Sequence, residues 1–371
     1  MVFDDTHNAF FALVRAGLWE KDIRLSSFGE VSYKDIYRLA EEQSVTGLVA
    51  AGIEHVQDVK ISKDIALTFV GHALQLEQRN IAINRFIARQ IEELRKHGIY
   101  SILVKGQGIA LCYERPLWRA SGDVDLLLDK DDYQKAKIYL SATASTMEEE
   151  DSKRLHLGLI IGSFEVELHG TLHSRQLPEL NKVVDDAQYD VFRRGMVRVW
   201  RNEETDIFLP GENQDVVFVF SHILQHYFGG GIGLRQICDW CRLLWTNKDR
   251  IDVALLESRL RKGRIMTEWK TFAAFAVEWL GMPIEAMPLY SDSHRWSRKT
   301  KKIADFIIIN GNFGCNRNNS FRKQYPTYVR KMISLWRYIC DTARHIMVFP
   351  LDSISVFGRM VWDGIHLKGL R

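Results

Sequence analysis

Two aspartates one residue apart, Asp123 and Asp125, form the strongest chemical signal in the chain. The apolar run 126–128 that follows them predicts a buried β-strand. Since alternate side chains of a strand point to the same face, both carboxylates project together. Paired carboxylates form a hard, oxygen-rich site suited to Mg²⁺ or Mn²⁺. The alternative interpretation is two solvated aspartates at the edge of a strand.

Two other segments carry groups that could complete such a site. Lys105-Gly106 follows the apolar run 99–104, which predicts another buried strand, and the backbone N–H groups of a following helix could meet a phosphate. Glu165 and Glu167 alternate with apolar residues over 164–169, so both lie on one face of a predicted strand. Either glutamate could supply a third acidic ligand.

The elements that must position these groups follow from hydrophobic periodicity. Residues 1–98 repeat apolar positions at the three-to-four spacing of helices, and the period changes after Gly98. Between 99 and 169 we predict strand, helix, strand, helix and a hairpin, which make an α+β core. Helical patterns return from residue 214. The predicted domains are an N-terminal helical region over 1–98, an α+β core over 99–210 and a C-terminal helical region over 211–371.

Composition excludes several classes of protein. The 371 residues are 46% hydrophobic, with 50 Lys+Arg against 47 Asp+Glu, so the net charge is only +3 and a disordered chain is excluded. Five sparsely spaced cysteines do not form a disulfide framework and favour a reducing, cytoplasmic location. The sequence shows no signal peptide and no apolar run of about 18 residues, so we expect no membrane span.

The charge is unevenly distributed along the chain. Residues 294–371 contain 15 Lys+Arg and 4 Asp+Glu, a charge of +11, which leaves −8 on residues 1–293. This basic tail could bind RNA, an anionic lipid surface or a polyphosphorylated substrate. The alternative is a helical cap with solvated basic side chains. If the tail contacts substrate, the basic residues at 298, 299, 301 and 302 are the ones that we expect to bind it.

Several motifs occur in the order found in a known family. They are Leu-Val-Lys-Gly at 103–106, Arg-x-x-Gly-Asp-Val-Asp at 119–125 and Glu-Leu-His at 167–169. In these motifs the chain resembles the uncharacterised nucleotidyltransferase family of the DNA polymerase β-like superfamily. The resemblance is clear over residues 99–170. It continues weakly through His222-x-x-x-His226 and residues 233–239.

The resemblance implies a small mixed sheet flanked by helices and a metal-dependent transfer reaction. Asp123, Asp125 and Glu167 would be the catalytic residues and would hold two divalent ions, Mg²⁺ or Mn²⁺. These ions would bridge the phosphates of a nucleoside triphosphate such as ATP. An acceptor hydroxyl would attack the α-phosphorus, and pyrophosphate would leave.

The resemblance also implies residues that bind the nucleotide or the substrate, namely Lys105, Gly106, Arg119 and His169. Better-studied members of the superfamily have Gly-Ser where this chain has Lys-Gly. The lysine could replace the lost contact as a point charge on the phosphates.

Other functions are also compatible with the sequence. The acceptor could be a small molecule, a tRNA end or a peptide. The chain could also be a phosphotransferase, or a non-catalytic nucleotide- or peptide-binding protein on the same fold. His222 and His226 share a helix face and, with Arg235 and Asp239, predict a polar cluster between helices.

Overall fold

A computed structural model describes residues 3–174, 177–317 and 325–366 of the chain. In these ranges the fold is mixed α+β, with fourteen α-helices, a five-stranded mixed sheet and a separate two-stranded sheet. The α+β class predicted from the sequence is therefore confirmed. None of the described helices is long and apolar enough to cross a membrane.

Four helices precede the sheet, each with an apolar stripe against the core: α1 (Asp5–Trp19), α2 (Tyr33–Glu42), α3 (Thr46–Glu54) and α4 (Lys63–Lys96). The Ser62 side chain caps the first turn of α4, which satisfies an otherwise free backbone N–H. Helix α4 contributes to both hydrophobic cores of the protein. Phe69 and Ala73 pack into the larger core, and Ile83 and Leu94 pack into the smaller core beneath the sheet.

The five-stranded sheet carries the residues that the sequence singles out. Its strands are β1 (Ile102–Val104), β2 (Val124–Leu127), β3 (Thr146–Met147), β4 (His156–Ile161) and β5 (Phe164–His169), in the spatial order β1-β2-β5-β4-β3. Strands β2 and β5 are parallel and the other neighbours are antiparallel. Helices α5 (Gly106–Ala110) and α6 (Lys130–Ser141) follow β1 and β2.

A second, two-stranded sheet lies next to the first and was not anticipated by the periodicity. Helix α7 (Pro178–Arg194) leads into β6 (Val197–Asn202) and β7 (Thr205–Pro210), which pair antiparallel. Ile207 and Leu209 of β7 are buried in the smaller core. This hairpin therefore closes the core on the side of β1.

Seven helices complete the described chain: α8 (Glu212–Gly229), α9 (Leu234–Thr246), α10 (Val253–Lys262), α11 (Met266–Leu280), α12 (His294–Asn310), α13 (Thr327–Ile346) and α14 (Pro350–His366). The glycine loop between α8 and α9 packs tightly, because a Cβ on Gly231 would lie only 2.3 Å from the Gly314 nitrogen. A short helical turn, Asn312–Gly314, follows α12.

Candidate active site

A cleft of about 330 Å³ lies between one end of the five-stranded sheet and helices α8 and α9. The sheet side contributes acidic and basic groups, and the helices contribute histidines and an arginine. All seven site residues that the sequence analysis names line this cleft: Lys105, Gly106, Arg119, Asp123, Asp125, Glu167 and His169. Residues far apart in the chain are thus brought together in one site.

The three carboxylates come together through strand register. Asp125 and Glu167 are direct partners on the parallel strands β2 and β5, and Asp123 lies one residue before β2. One carboxylate oxygen from each of the three lies within 4.8 Å of the others. Glu165 is exposed and does not line the cleft. The arrangement offers the oxygen ligands that Mg²⁺ and Mn²⁺ prefer.

Lys105 reaches the acid cluster from a backbone conformation that glycine normally adopts. Its φ is 57° and its ψ is −144°, and Gly106 also has a positive φ, of 40°. A side chain with a Cβ pays a conformational cost in this region, so packing must hold the residue there. The Lys105 Nζ donates a hydrogen bond of 2.7 Å to Asp125 Oδ1.

Two histidines complete the hydrogen bonding of the cluster. His169 Nε2 lies 2.7 Å from Asp125 Oδ1 and 3.2 Å from Glu167 Oε2. His156, opposite His169 on β4, lies 3.2 Å from the same Glu167 oxygen. Burial opposes the charged form of His169, but its bonds to the two carboxylates raise its pKa above the ordinary value. The pair therefore fixes the orientation of both carboxylates.

The three carboxyl groups have different proton affinities. The negative charge of Asp125 and the burial of the site raise the pKa of Asp123 to about 6. Burial also disfavours ionised Asp125 and Glu167, but the Lys105 ammonium and the histidine hydrogen bonds outweigh it and lower both pKa values. Uncompensated negative charge is thus concentrated at Asp123, which is where an added cation would be favoured.

The opposite wall of the cleft is built by α8, α9 and the turn after α12. His222 and His226 lie one helical turn apart with their rings edge to face, and the His226 ring lies 4.8 Å from that of Phe313. Burial and the nearby Lys105 charge lower the pKa of His222 well below its usual range and that of His226 to about 4. Both histidines are therefore neutral at pH 7.

Arg235 at the start of α9 is a cation with incomplete pairing. Its Nη1 donates a hydrogen bond of 3.1 Å to the Ala120 carbonyl, and its buried Nε has no hydrogen-bond partner within the described residues. Burial and the neighbouring Arg119 lower its pKa from the ordinary value. A half-buried guanidinium without a carboxylate is a ready binding group for an anion. The sequence alone predicts only a polar cluster that includes Arg235, with no assignment of this residue to the site.

Arg119 differs from Arg235 in being fully paired. Its Nε and Nη2 each donate a hydrogen bond of 2.7 Å to the Asp239 carboxylate, and Nη1 donates to Ala120. The Tyr113 hydroxyl donates to the same carboxylate at 2.7 Å. This buried network ties the loop before β2 to α9. Arg119 therefore lines the cleft while also holding its two walls together.

The basic tail meets the cleft at one point. Phe313 lines it, whereas none of the basic residues described beyond residue 293 does so. The proposed contact between substrate and residues 298, 299, 301 and 302 thus has no counterpart in the lining of the cleft. Those side chains lie along α12.

Three carboxylates at one end of a mixed sheet, facing basic side chains across a cleft, suit a site for a cation and a phosphate-bearing ligand. The comparison with protein families agrees: the family described as Uncharacterised nucleotidyltransferase matches residues 29–281, more than half of the chain. The chain belongs to this family of nucleotidyltransferases. No curated protein and no solved structure matches it.

Proposed function

We propose that the protein transfers a nucleoside monophosphate from a nucleoside triphosphate to a hydroxyl group of an acceptor, with release of pyrophosphate. The observation that carries the proposal is the convergence of Asp123, Asp125 and Glu167 within 4.8 Å, in a cleft that also contains Lys105 and Arg235. The carboxylates suit a hard divalent cation, and the basic groups suit a triphosphate.

The residues fit a divalent metal ion, which we propose as the cofactor. Asp123, Asp125 and Glu167 would be its ligands. The pKa of Asp123 is raised because the neighbouring negative charge disfavours its ionised form, which a bound cation would stabilise. Bound there, Mg²⁺ or Mn²⁺ would neutralise charge on the phosphates during in-line displacement. The histidine bonds to Asp125 and Glu167 hold these carboxylates in place before any ligand arrives.

In the proposed reaction, the protein's own side chains remove the acceptor proton and neutralise charge on the triphosphate. The acceptor oxygen forms a bond to the α-phosphorus, and the bond from that phosphorus to the pyrophosphate oxygen breaks. One of the three carboxylates would also take the hydroxyl proton. The guanidinium of Arg235 would neutralise triphosphate charge from the opposite wall.

The test is incubation of the full chain with each of the four labelled ribonucleoside triphosphates, Mg²⁺ and candidate acceptors. We expect pyrophosphate release in the wild type and at least a hundredfold loss in Glu167→Gln. Glu165→Gln is the matched control, since it removes a carboxylate two residues away that lies outside the cleft. Release of nucleoside diphosphate would indicate a phosphotransferase instead. Nucleotide binding without turnover would indicate a binding protein.

A further inference from the structure

Helices α13 and α14 form a hairpin whose exposed surface is unusually apolar. Tyr328, Met332 and Trp336 have 69%, 68% and 66% of their surface exposed. Leu335 and Ile339 lie on the same face of α13, because the spacings of three and four residues place them above one another. A contiguous apolar face of this kind marks an interaction site.

The other face of α13, which is turned toward the protein, is polar. Asp341 is buried and pairs with Arg317 at 2.8 Å, and His345 is buried against the rings of Tyr227 and Phe306. An amphipathic helix on a globular protein normally turns its apolar stripe inward. Helix α13 is inverted in this respect, so its apolar stripe is available to a partner.

Helix α14 also exposes apolar side chains, while its first turns are anchored in the core. Leu351 and Ile354 are 81% and 59% exposed, on the first turns of the helix. Phe349 and Val356 are buried in the larger core, and the Ser353 hydroxyl bonds back to the Phe349 carbonyl. The hairpin is therefore fixed at its base and presents apolar side chains on its outer side.

The charge on this surface indicates the kind of partner. Lys331 is an exposed cation next to Met332, and residues 294–371 as a whole carry a net charge of +11. Two copies packed through this face would bring like charges together, whereas anionic lipid headgroups would complement them. Tryptophan and tyrosine are also the side chains enriched where membranes meet water.

We propose that the hairpin α13–α14 docks on an anionic membrane surface, with its apolar face in the boundary between headgroups and acyl chains. The described helices include none that spans a bilayer, so the hairpin would lie in the plane of the interface. The family match ends at residue 281, and the hairpin therefore lies beyond the matched region.

The experiment is co-sedimentation of the full chain with vesicles of phosphatidylcholine, with or without about 30% phosphatidylglycerol. We expect binding to the anionic vesicles, weakened at least tenfold on the neutral ones and reduced by salt. Met332→Gln with Trp336→Gln should abolish the binding without changing the circular dichroism spectrum. Lys331→Glu should reduce it on anionic vesicles only.

The matched control is Leu67→Gln with Leu74→Gln on α4, which removes two leucines that are 68% and 52% exposed outside the hairpin. This variant should bind vesicles like the wild type. Absence of wild-type binding to anionic vesicles would overturn the proposal. A concentration-dependent dimer that Met332→Gln with Trp336→Gln dissociates, without vesicle binding, would assign the face to a second copy of the chain.

Discussion

Lys105 Nζ lies 2.7 Å from Asp125 Oδ1, so a cation from the chain itself stands among the three carboxylates. Its backbone is held in a conformation that favours glycine, and its ammonium is buried with the acid that it pairs with. The lysine lowers the electrostatic cost of gathering the carboxylates. It also competes for Asp125 with any divalent ion that enters the cleft.

Replacing Lys105 should therefore separate metal binding from turnover. In Lys105→Met the competing charge is gone, and we expect Mn²⁺ to bind about tenfold more tightly by electron paramagnetic resonance titration. Turnover should nevertheless fall, because a positive charge next to the phosphates is lost. Lys135→Met removes a lysine that pairs on the surface with Asp132 and should change neither quantity. Weaker Mn²⁺ binding in Lys105→Met would contradict this account.

The two aspartates should respond oppositely to amide substitution in metal-free protein. The pKa of Asp123 is about 6 when folded, above its ordinary 3.8, so its ionisation opposes folding increasingly as the pH rises from about 4 to about 6. We expect Asp123→Asn to raise the free energy of unfolding at pH 7 by about 1–3 kcal/mol.

Asp125→Asn should do the reverse, since it removes the acceptor shared by Lys105 and His169. The pKa of Asp125 is lowered, so its contribution to stability is present at neutral pH and is lost as the pH falls below its ordinary value. Urea unfolding with a chelator present, between pH 4 and pH 8, measures both variants. The account fails if Asp123→Asn destabilises the protein across this range.

Replacing Arg235 should weaken nucleotide binding without changing the affinity of the site for metal ions. Its Nε has no hydrogen-bond partner in the described chain, and no carboxylate pairs with it there. Arg235→Gln therefore removes only the bond to the Ala120 carbonyl, which still accepts from Arg119 Nη1. We expect the KM for the triphosphate to rise at least tenfold, with Mn²⁺ affinity within about twofold of wild type. Arg235→Lys should recover part of the loss. An unchanged KM in Arg235→Gln would remove the residue from the triphosphate site.

The buried ion pair between Arg119 and Asp239 should be costly to break. Asp239→Asn leaves the guanidinium without its carboxylate and weakens the bond from Tyr113, and we expect a loss of about 3–5 kcal/mol in the free energy of unfolding. Glu114→Gln tests a pair whose acid is 55% exposed and should cost less than about 1 kcal/mol. Similar losses in the two variants would show that burial does not set the cost.

Local patterns were sufficient to predict the elements that carry the acidic site. The apolar run after Asp125 and the alternation around Glu167 predicted their strands, and the nucleotidyltransferase family that the motifs implied is confirmed over residues 29–281. Strand register is a long-range property, so the pairing of Asp125 with Glu167 could not be read from either strand alone.

Two other features required the three-dimensional structure. The guanidinium of Arg235 lines the same cleft as the three carboxylates only because α9 packs across the loop before β2. This loop lies more than 100 residues earlier in the chain. The orientation of α13 was equally inaccessible. Periodicity indicates an amphipathic helix there, but it cannot tell which side faces the protein.

The 34-residue helix α4 passes through both hydrophobic cores, with Phe69 in one and Leu94 in the other. A helix cannot lose its packing at one end without weakening the hydrogen-bonded turns beyond it. The helical part and the sheet that holds the carboxylates are therefore coupled in their unfolding. In calorimetry they should melt as one cooperative transition, and a fragment that starts at residue 99 should not retain a folded sheet.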